Sequence, residues 1–507
     1  MSSRHAPGPP LDDPSGLPDD VAQAMAGEGA PPPPQTGPPP RRGLVAALVY
    51  CGLCTSVVGS LGALLIPTIS EQQNVSRGTA QWVLTAALLV GAVATPVLGA
   101  LSDRPTRRTV LLCTLGLVLL GSVLAATAQS FPQLVIGRAM QGLTYGVIPM
   151  ATATARAHLP PDRVRSAVAA LSVTTVTGAG LSFPLTGLIV QVSNYRVAFW
   201  FAVGFTALAL GAVLLTVPGR DPSAAGRSAR LDWPGAALLA GGLASLLLAV
   251  SQGDEWGWSS PGVVGLFASA AVLFLLWTWH ELRTARPLVQ LRTLANRDVA
   301  LANVSALGLG AMLFAGSSAV SQLAQTPRST GYGFGLGLLL AGLALMPSSI
   351  GSQVSNRFVQ VLARRIPIQR MLPVGPALIC LDMTFLTFFH DQLWQVYSGM
   401  FVQGLAIGAS FVVMPTMILA AVPPEQTGSA VALNQVLRTL GGSIGSATVG
   451  ALLAAATLRG ELLPAEHGYT LAFAGTAVGC VLLALVLLLA PALHARRDAT
   501  TRTAPVV

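Results

Sequence analysis

The chain has 507 residues, 52% of them hydrophobic and only 10% charged, with a formal net charge of +9. A soluble domain carries about a quarter charged residues, so this chain lacks the polar surface that water requires, and the bilayer is its expected solvent. All 29 basic residues are arginine, which excludes a Walker A phosphate loop and a Schiff-base lysine, and the six scattered histidines exclude an HExxH-type zinc motif.

Residues 1–42 are rich in Pro, Gly and acidic residues and contain a run of four prolines at 31–34. They read as a disordered cytoplasmic tail without the apolar core of a signal peptide. Fourteen apolar runs follow, near 44–69, 79–101, 109–128, 132–155, 165–191, 196–217, 233–251, 261–280, 298–322, 333–355, 371–389, 392–421, 428–456 and 470–491. Each is long enough to cross ~30 Å of hydrocarbon, and backbone groups in lipid must pair internally, so each run is expected to be a helix. Residues 493–507 read as a second cytoplasmic tail. The five cysteines all lie in apolar runs; Cys51 and Cys54 have redox CxxC spacing, but on a membrane helix they read as small packing residues.

An even number of spans puts both termini on one side. The even-numbered loops and the two flanks hold 22 arginines, including Arg41 and Arg42 before the first span; the odd-numbered loops hold only Arg77, Arg196, Arg328 and Arg459. By the positive-inside rule the even loops and both termini are cytoplasmic, in a multi-pass protein of the plasma membrane. The arginines lie in short loops between greasy runs, which speaks for membrane anchoring and against a nucleic-acid partner.

The chain repeats itself. Pro160, Pro161, Ser166, Ala167, Val168 and Ala169 return as Pro423, Pro424, Ser429, Ala430, Val431 and Ala432, and Gly178 and Gly187 return as Gly441 and Gly450. The offset is constant. With a slip of one residue, "QGLTYG" at 141–146 returns as "QGLAIG" at 403–408. The repeat pairs the fourth and fifth spans with the twelfth and thirteenth. The expected fold is therefore all-α: a six-helix bundle over 43–218, a linker with two extra membrane helices over 219–296, and a second six-helix bundle over 297–492. Parallel six-helix repeats enclose a substrate path near the midplane.

In these features the chain resembles the major facilitator superfamily over roughly residues 40–495, specifically its fourteen-helix drug:proton antiporter branch. The family's loop motif after the second span is matched by Gly99, Leu101, Asp103, Arg104, Arg107 and Arg108, with Thr106 where a glycine is usual. Arg138, Gln141 and Gly142 match a fourth-span motif; Gly178, Pro184 and Gly187 match the antiporter motif of the fifth, with Phe183 before the proline. "LDWPGA" at 231–236, "EWGW" at 255–258, an imperfect "TGYGFG" at 330–335 and "LNQVLRTLGGSIG" at 433–445 are further echoes of the branch. Many members carry an Asp nine residues before the proline of the first span; here, counting from Pro67, that position is Val58.

The resemblance implies a gating latch at Gly99, Asp103, Arg104, Arg107 and Arg108, formed while the cytoplasmic side is closed and released when it opens; the plain alternative is a positive anchor. It implies a proton-relay or substrate role for Arg138 with Gln141; the alternative is a brace between the fourth and first spans. Ionisable residues inside a span cost ~2.5–3.5 kcal/mol, so they face a cavity or a partner. Only Arg138, Asp382 and Arg438 lie well inside one. Asp382 is the candidate proton carrier by elimination, with Glu71 as a fallback. Arg438 either lines the path beside Asn434 and Gln435 or satisfies helix carbonyls.

The function expected is secondary active, proton-coupled export of lipophilic, drug- or antibiotic-like small molecules by a monomer. Its energy source is the proton gradient, and it uses no cofactor. A facilitator or importer of a natural metabolite on the same fold is the alternative. A membrane enzyme or sensor is remote, because no nucleophile constellation, metal motif or large soluble domain is visible.

Overall fold

The computed structural model describes residues 43–502 except 62–64, 76, 105, 193, 220–231, 285–286, 363–364 and 458–462. The expected tail at 1–42, most of the loop before the inserted pair and residues 503–507 lie outside the described residues.

Among the described residues the chain is helical without strands. The first half comprises α1 (Leu44–Ser60), α2 (Ile66–Gln72), α3 (Arg77–Ser102), α4 (Arg107–Ala126), α5 (Phe131–Gly142), α6 (Val147–His158), α7 (Pro161–Val192) and α8 (Tyr195–Thr216). The inserted pair is α9 (Trp233–Trp256) and α10 (Pro261–Arg283). The second half comprises α11 (Arg297–Gln325), α12 (Leu338–Ala344), α13 (Met346–Leu362), α14 (Val374–Phe388), α15 (Leu393–Ala421), α16 (Thr427–Ala455) and α17 (Glu466–Arg502). Ten of the helical stretches are long and apolar enough to cross a membrane by themselves, and α1 is a shorter apolar helix.

Every apolar run forms helix over most of its described residues, the tenth only from Leu338 onward, and three are interrupted. The first divides into α1 and α2, with Pro67 at the start of α2, where a missing N–H costs nothing. The fourth is broken by a 3₁₀ turn at Leu143–Gly146 between α5 and α6. The tenth divides into α12 and α13. The last helix runs on to Arg502, past the expected end at 491. Helix starts follow local chemistry: the Asn194 side chain accepts the N–H groups of Arg196 and Val197, and Ser260 accepts that of Val263.

Packing repeats with the sequence. α1 packs on α7 as α11 packs on α16; α3 on α5 as α13 on α15; α4 on α8 as α14 on α17. Each half has its own apolar core, one around Leu48, Leu115, Met150 and Phe199, the other around Leu309, Met383, Met400 and Phe473. The halves meet where α3 lies against α16 and α7 against α13. The pair α9–α10 packs on α3 and α16, with Leu239, Leu243 and Trp277 buried against Leu433 and Val436. Large apolar side chains remain exposed along α10 and α17, among them Leu275, Leu276, Leu482 and Leu489. Rows of this kind fit contact with acyl chains rather than water.

Candidate functional site: the seam between the halves

At one end of the seam α3 and α16 are almost in backbone contact. A Cβ on Gly99 would stand 2.4 Å from Cβ of Ala432 and 2.8 Å from the Gly428 carbonyl; one on Gly428 would stand 2.1 Å from Oγ of Ser102. Small residues are thus required on both helices. Asp103, one residue past α3, uses this closeness. Its Oδ1 accepts the N–H of Gly428 at 2.6 Å and its Oδ2 that of Ser429 at 2.8 Å. These donors lie in the first turn of α16, where backbone N–H groups lack helical partners and the helix dipole favours an anion. Burial pushes the Asp103 carboxyl up to about 6, against the lowering effect of the Ser429 and Gly428 hydrogen bonds and of nearby Arg107.

A second clasp lies beside it. Arg156, in the last turn of α6, donates from Nη1 to Oγ1 of Thr427 at 2.7 Å and from Nη2 to the Val422 carbonyl at 2.9 Å. Arg156, a residue of the first half, therefore holds both ends of the turn that joins α15 to α16 in the second. In the sequence Arg156 is one loop arginine among many. Its signal was positional: it stands next to the repeated prolines, and the repeat places Leu419 at the matching position in the second half.

The other charges of the loop motif do not cross the seam in the hydrogen bonds described. Nη1 of Arg107 donates to the Ala153 carbonyl at 3.1 Å, and Nη2 of Arg108 to the Leu214 carbonyl at 3.0 Å. They tie α4 to α6 and α8 within the first half. Arg104 sits half-buried in the turn, its N–H donating to the Leu101 carbonyl. Thr106 has φ −85°, so this turn does not need the family's glycine.

Arg138 is fully buried in the first half. Its Nε donates to the Val83 carbonyl at 3.0 Å, and its Nη1 to the Val58 carbonyl at 3.1 Å and to Oε1 of Gln141 at 2.7 Å. Gln141 donates onward to Oγ of Ser122 at 2.9 Å. The guanidinium thus braces α5 against α1 and α3, and it reaches the backbone of Val58, the position at which the family resemblance leads one to expect an aspartate. In the repeat, Gln141 and Gly142 correspond to Gln403 and Gly404, which puts Met400 opposite Arg138. Met400 is buried in the second apolar core, so the polar brace belongs to one half only.

Asp382 faces into the second half. Its Oδ1 lies 2.5 Å from where a Cβ of Gly399 would stand, between α14 and α15, and neither oxygen has a hydrogen-bond partner among the described residues. It does not line the seam. Asn434, expected on the path beside Gln435, is instead turned to α11, donating to the Ala302 carbonyl and to Oδ1 of Asn303, both at 3.1 Å. Only one of the two lines the seam. Gln435 does: with Val436 and Thr439 of α16 it lines a narrow cleft against Leu88, Gly91, Ala92 and Thr95 of α3, and Tyr145 closes one wall. Arg438 hydrogen-bonds Gln435 and lies 4.1 Å over the Phe411 ring. Gly178 packs against Leu53 and Ser56 of α1, while Pro184 and Gly187 lie in α7 outside the described side chains.

A sequence model of the Major Facilitator Superfamily matches residues 47–446. This chain belongs to the major facilitator superfamily. It is 29% identical over 427 residues to an uncharacterized MFS-type transporter of Mycobacterium tuberculosis; the match covers 82% of this chain but only 60% of that relative. It is 25% identical over 417 residues to the tetracenomycin C resistance and export protein of Streptomyces glaucescens, covering 79% of this chain and 73% of the relative. The crystal structure of the human organic anion transporter MFSD10 superposes with a TM-score of 0.62 at 18% identity, over 89% of this chain and all of that one, which bears on the fold alone. As a superfamily member the chain is a multi-pass membrane transporter of small molecules and not an enzyme.

Proposed function

We propose that this transporter is a secondary active exporter of lipophilic, drug- or antibiotic-like compounds, working by alternating access with proton antiport. The bodies that rock are residues 43–218 and 297–492, with 219–296 as the inserted pair, and the arginine-rich end faces the cytoplasm. The observation that carries this reading is the double clasp across the seam, Asp103 on the start of α16 and Arg156 on Thr427 and Val422. Hydrogen bonds from single side chains to a helix terminus can be made and released without unfolding either half. They suit a gate. The relative named for tetracenomycin C export supports the antibiotic class of substrate. Gln435, Thr439, Thr95 and Tyr145 are the residues with polar groups around a cleft otherwise lined by Leu88, Gly91, Ala92 and Val436, as an amphipathic organic solute requires. Asp382 is the carboxylate available deep inside a span, and its place off the seam makes it a proton carrier without substrate contact.

The test is uptake of an aromatic antibiotic or dye into inverted vesicles containing the protein, with and without an imposed pH gradient. Accumulation that needs the gradient supports proton-driven export. Equal flux in both directions, independent of the gradient, would favour the facilitator reading.

A further inference from the structure

We propose that the inserted hairpin carries a binding site for one divalent transition-metal ion, of which zinc fits the ligands best, formed by Asp232, His280 and Glu281. Asp232 precedes α9 and caps it, its Oδ1 accepting the Gly235 N–H at 2.9 Å. His280, in the last turn of α10, brings Nε2 within 2.9 Å of that oxygen and 3.1 Å of Oδ2. Glu281 is 3% exposed; Oε1 accepts the Val289 N–H, while Oε2 is buried without a hydrogen-bond partner. The ligand atoms of the three residues lie within 4.8 Å of one another.

Three features point to a cation. First, the carboxylates converge: a Cβ on Gly235 would stand 2.4 Å from Asp232 Oδ2 and 2.9 Å from Glu281 Oε2, so a glycine keeps clear the space between two oxygens of like charge. Second, the backbone already holds the outer oxygens, leaving Oδ2 and Oε2 to turn inward, the arrangement that orients metal ligands. Third, the nearby cation looks elsewhere, for the Arg283 guanidinium lies 4.6 Å over the Trp279 ring. Zinc takes imidazole nitrogen and carboxylate oxygen at ~2.0–2.2 Å in a tetrahedron, which small movements of these atoms would satisfy. Thr284 Oγ1, 3.2 Å from His280 Nε2, flanks the remaining position. The ion would join the start of α9 to the end of α10 and, through Val289, to the segment leading into α11. The other cluster of this type, His390 with Asp391 and Glu466, has exposed carboxylates and serves as a control.

The test uses the full chain in detergent, purified on a tag without histidine and stripped with EDTA. Zinc chloride is added, unbound metal is removed by gel filtration, and retained zinc is counted by mass spectrometry while melting is followed by tryptophan fluorescence. One zinc per chain and a raised melting temperature are expected for the wild type, with affinity at least tenfold weaker in Glu281→Gln, His280→Gln and Gly235→Ala and unchanged in His390→Gln. Wild-type protein that retains no zinc would overturn the proposal, as would retention that is the same in all three site variants.

Discussion

The carboxylate of Asp103 meets the backbone N–H of Gly428 at 2.6 Å, across the seam between two halves of the chain. A hydrogen bond to a charged group contributes ~1.5–3 kcal/mol, so the pair of bonds to Gly428 and Ser429 is strong enough to bias a rocking equilibrium and weak enough to be broken in each cycle. Asp103→Asn keeps one acceptor and replaces the other with a donor facing an N–H. Transport is expected to fall about tenfold or more with little loss of melting temperature. Gly428→Val, which drives a side chain into Ser102 and Gly99, is expected to abolish it. Initial rates in vesicles, normalised to protein level, check both.

The same carboxyl gives the seam a pH dependence. Its docked value is about 6, raised by burial, against ~3.9 for a free aspartate. A raised acid binds its proton more readily when docked, so protonation favours the docked arrangement. That contribution is complete below the free value and is lost as pH rises through about 6. The docked fraction should therefore decline from pH 5 to pH 7.5 in wild-type protein, and the decline should vanish in Asp103→Asn. Arg107 and Arg156 are the charged neighbours whose substitution would move the midpoint, with Glu425 acting on Arg156. Limited labelling of a cysteine placed at Ser102, which is buried at the seam, reports the fraction.

Arg138 and Val58 make a testable pair. Arg138→Met installs the residue found at the matching place in the second half and removes three hydrogen bonds, so transport should be lost and the melting temperature lowered. Val58→Asp installs an acid beside the guanidinium, which already bonds the Val58 carbonyl. This single variant should retain wild-type stability. The double variant, with an unpaired buried carboxylate, should lose several kcal/mol beyond the sum of the singles. Thermal melts of the four proteins complete the cycle.

Asp382→Asn keeps volume and removes ionisation. Because the carboxylate faces Gly399 rather than the cleft, KM for the exported compound should stay within about twofold, while stimulation by an imposed pH gradient should disappear. A wild-type response to the gradient would take Asp382 out of the coupling.

The helices and the duplication were legible in the sequence because the bilayer demands apolar runs of one length and because six of the ten residues of Pro160–Ala169 return at a constant offset in Pro423–Ala432. The loop motif stands at the end of the seam where Asp103 meets the start of α16. What it did not reveal is which of its charges cross: Asp103 does, while the hydrogen bonds described for Arg107 and Arg108 stay within the first half. Arg156 looked like any loop arginine, since its partners Thr427 and Val422 are neutral and distant in the chain. The orientations of Asp382 and Asn434 were hidden for a different reason. In a span apolar on every face, periodicity does not fix which side meets a neighbour, so only packing shows that Asn434 turns to Asn303 while Gln435 turns to the cleft.

The most direct measurement places spin labels at Thr106 and Pro423, exposed on either side of the clasp, in protein lacking its native cysteines. Pulsed electron-electron distances are then recorded with and without a transported compound. The account predicts two resolved populations, the shorter dominant at low pH, the longer enriched by Arg156→Gln, and the pH response lost in Asp103→Asn. A single distribution that neither variant, pH nor compound shifts would contradict it.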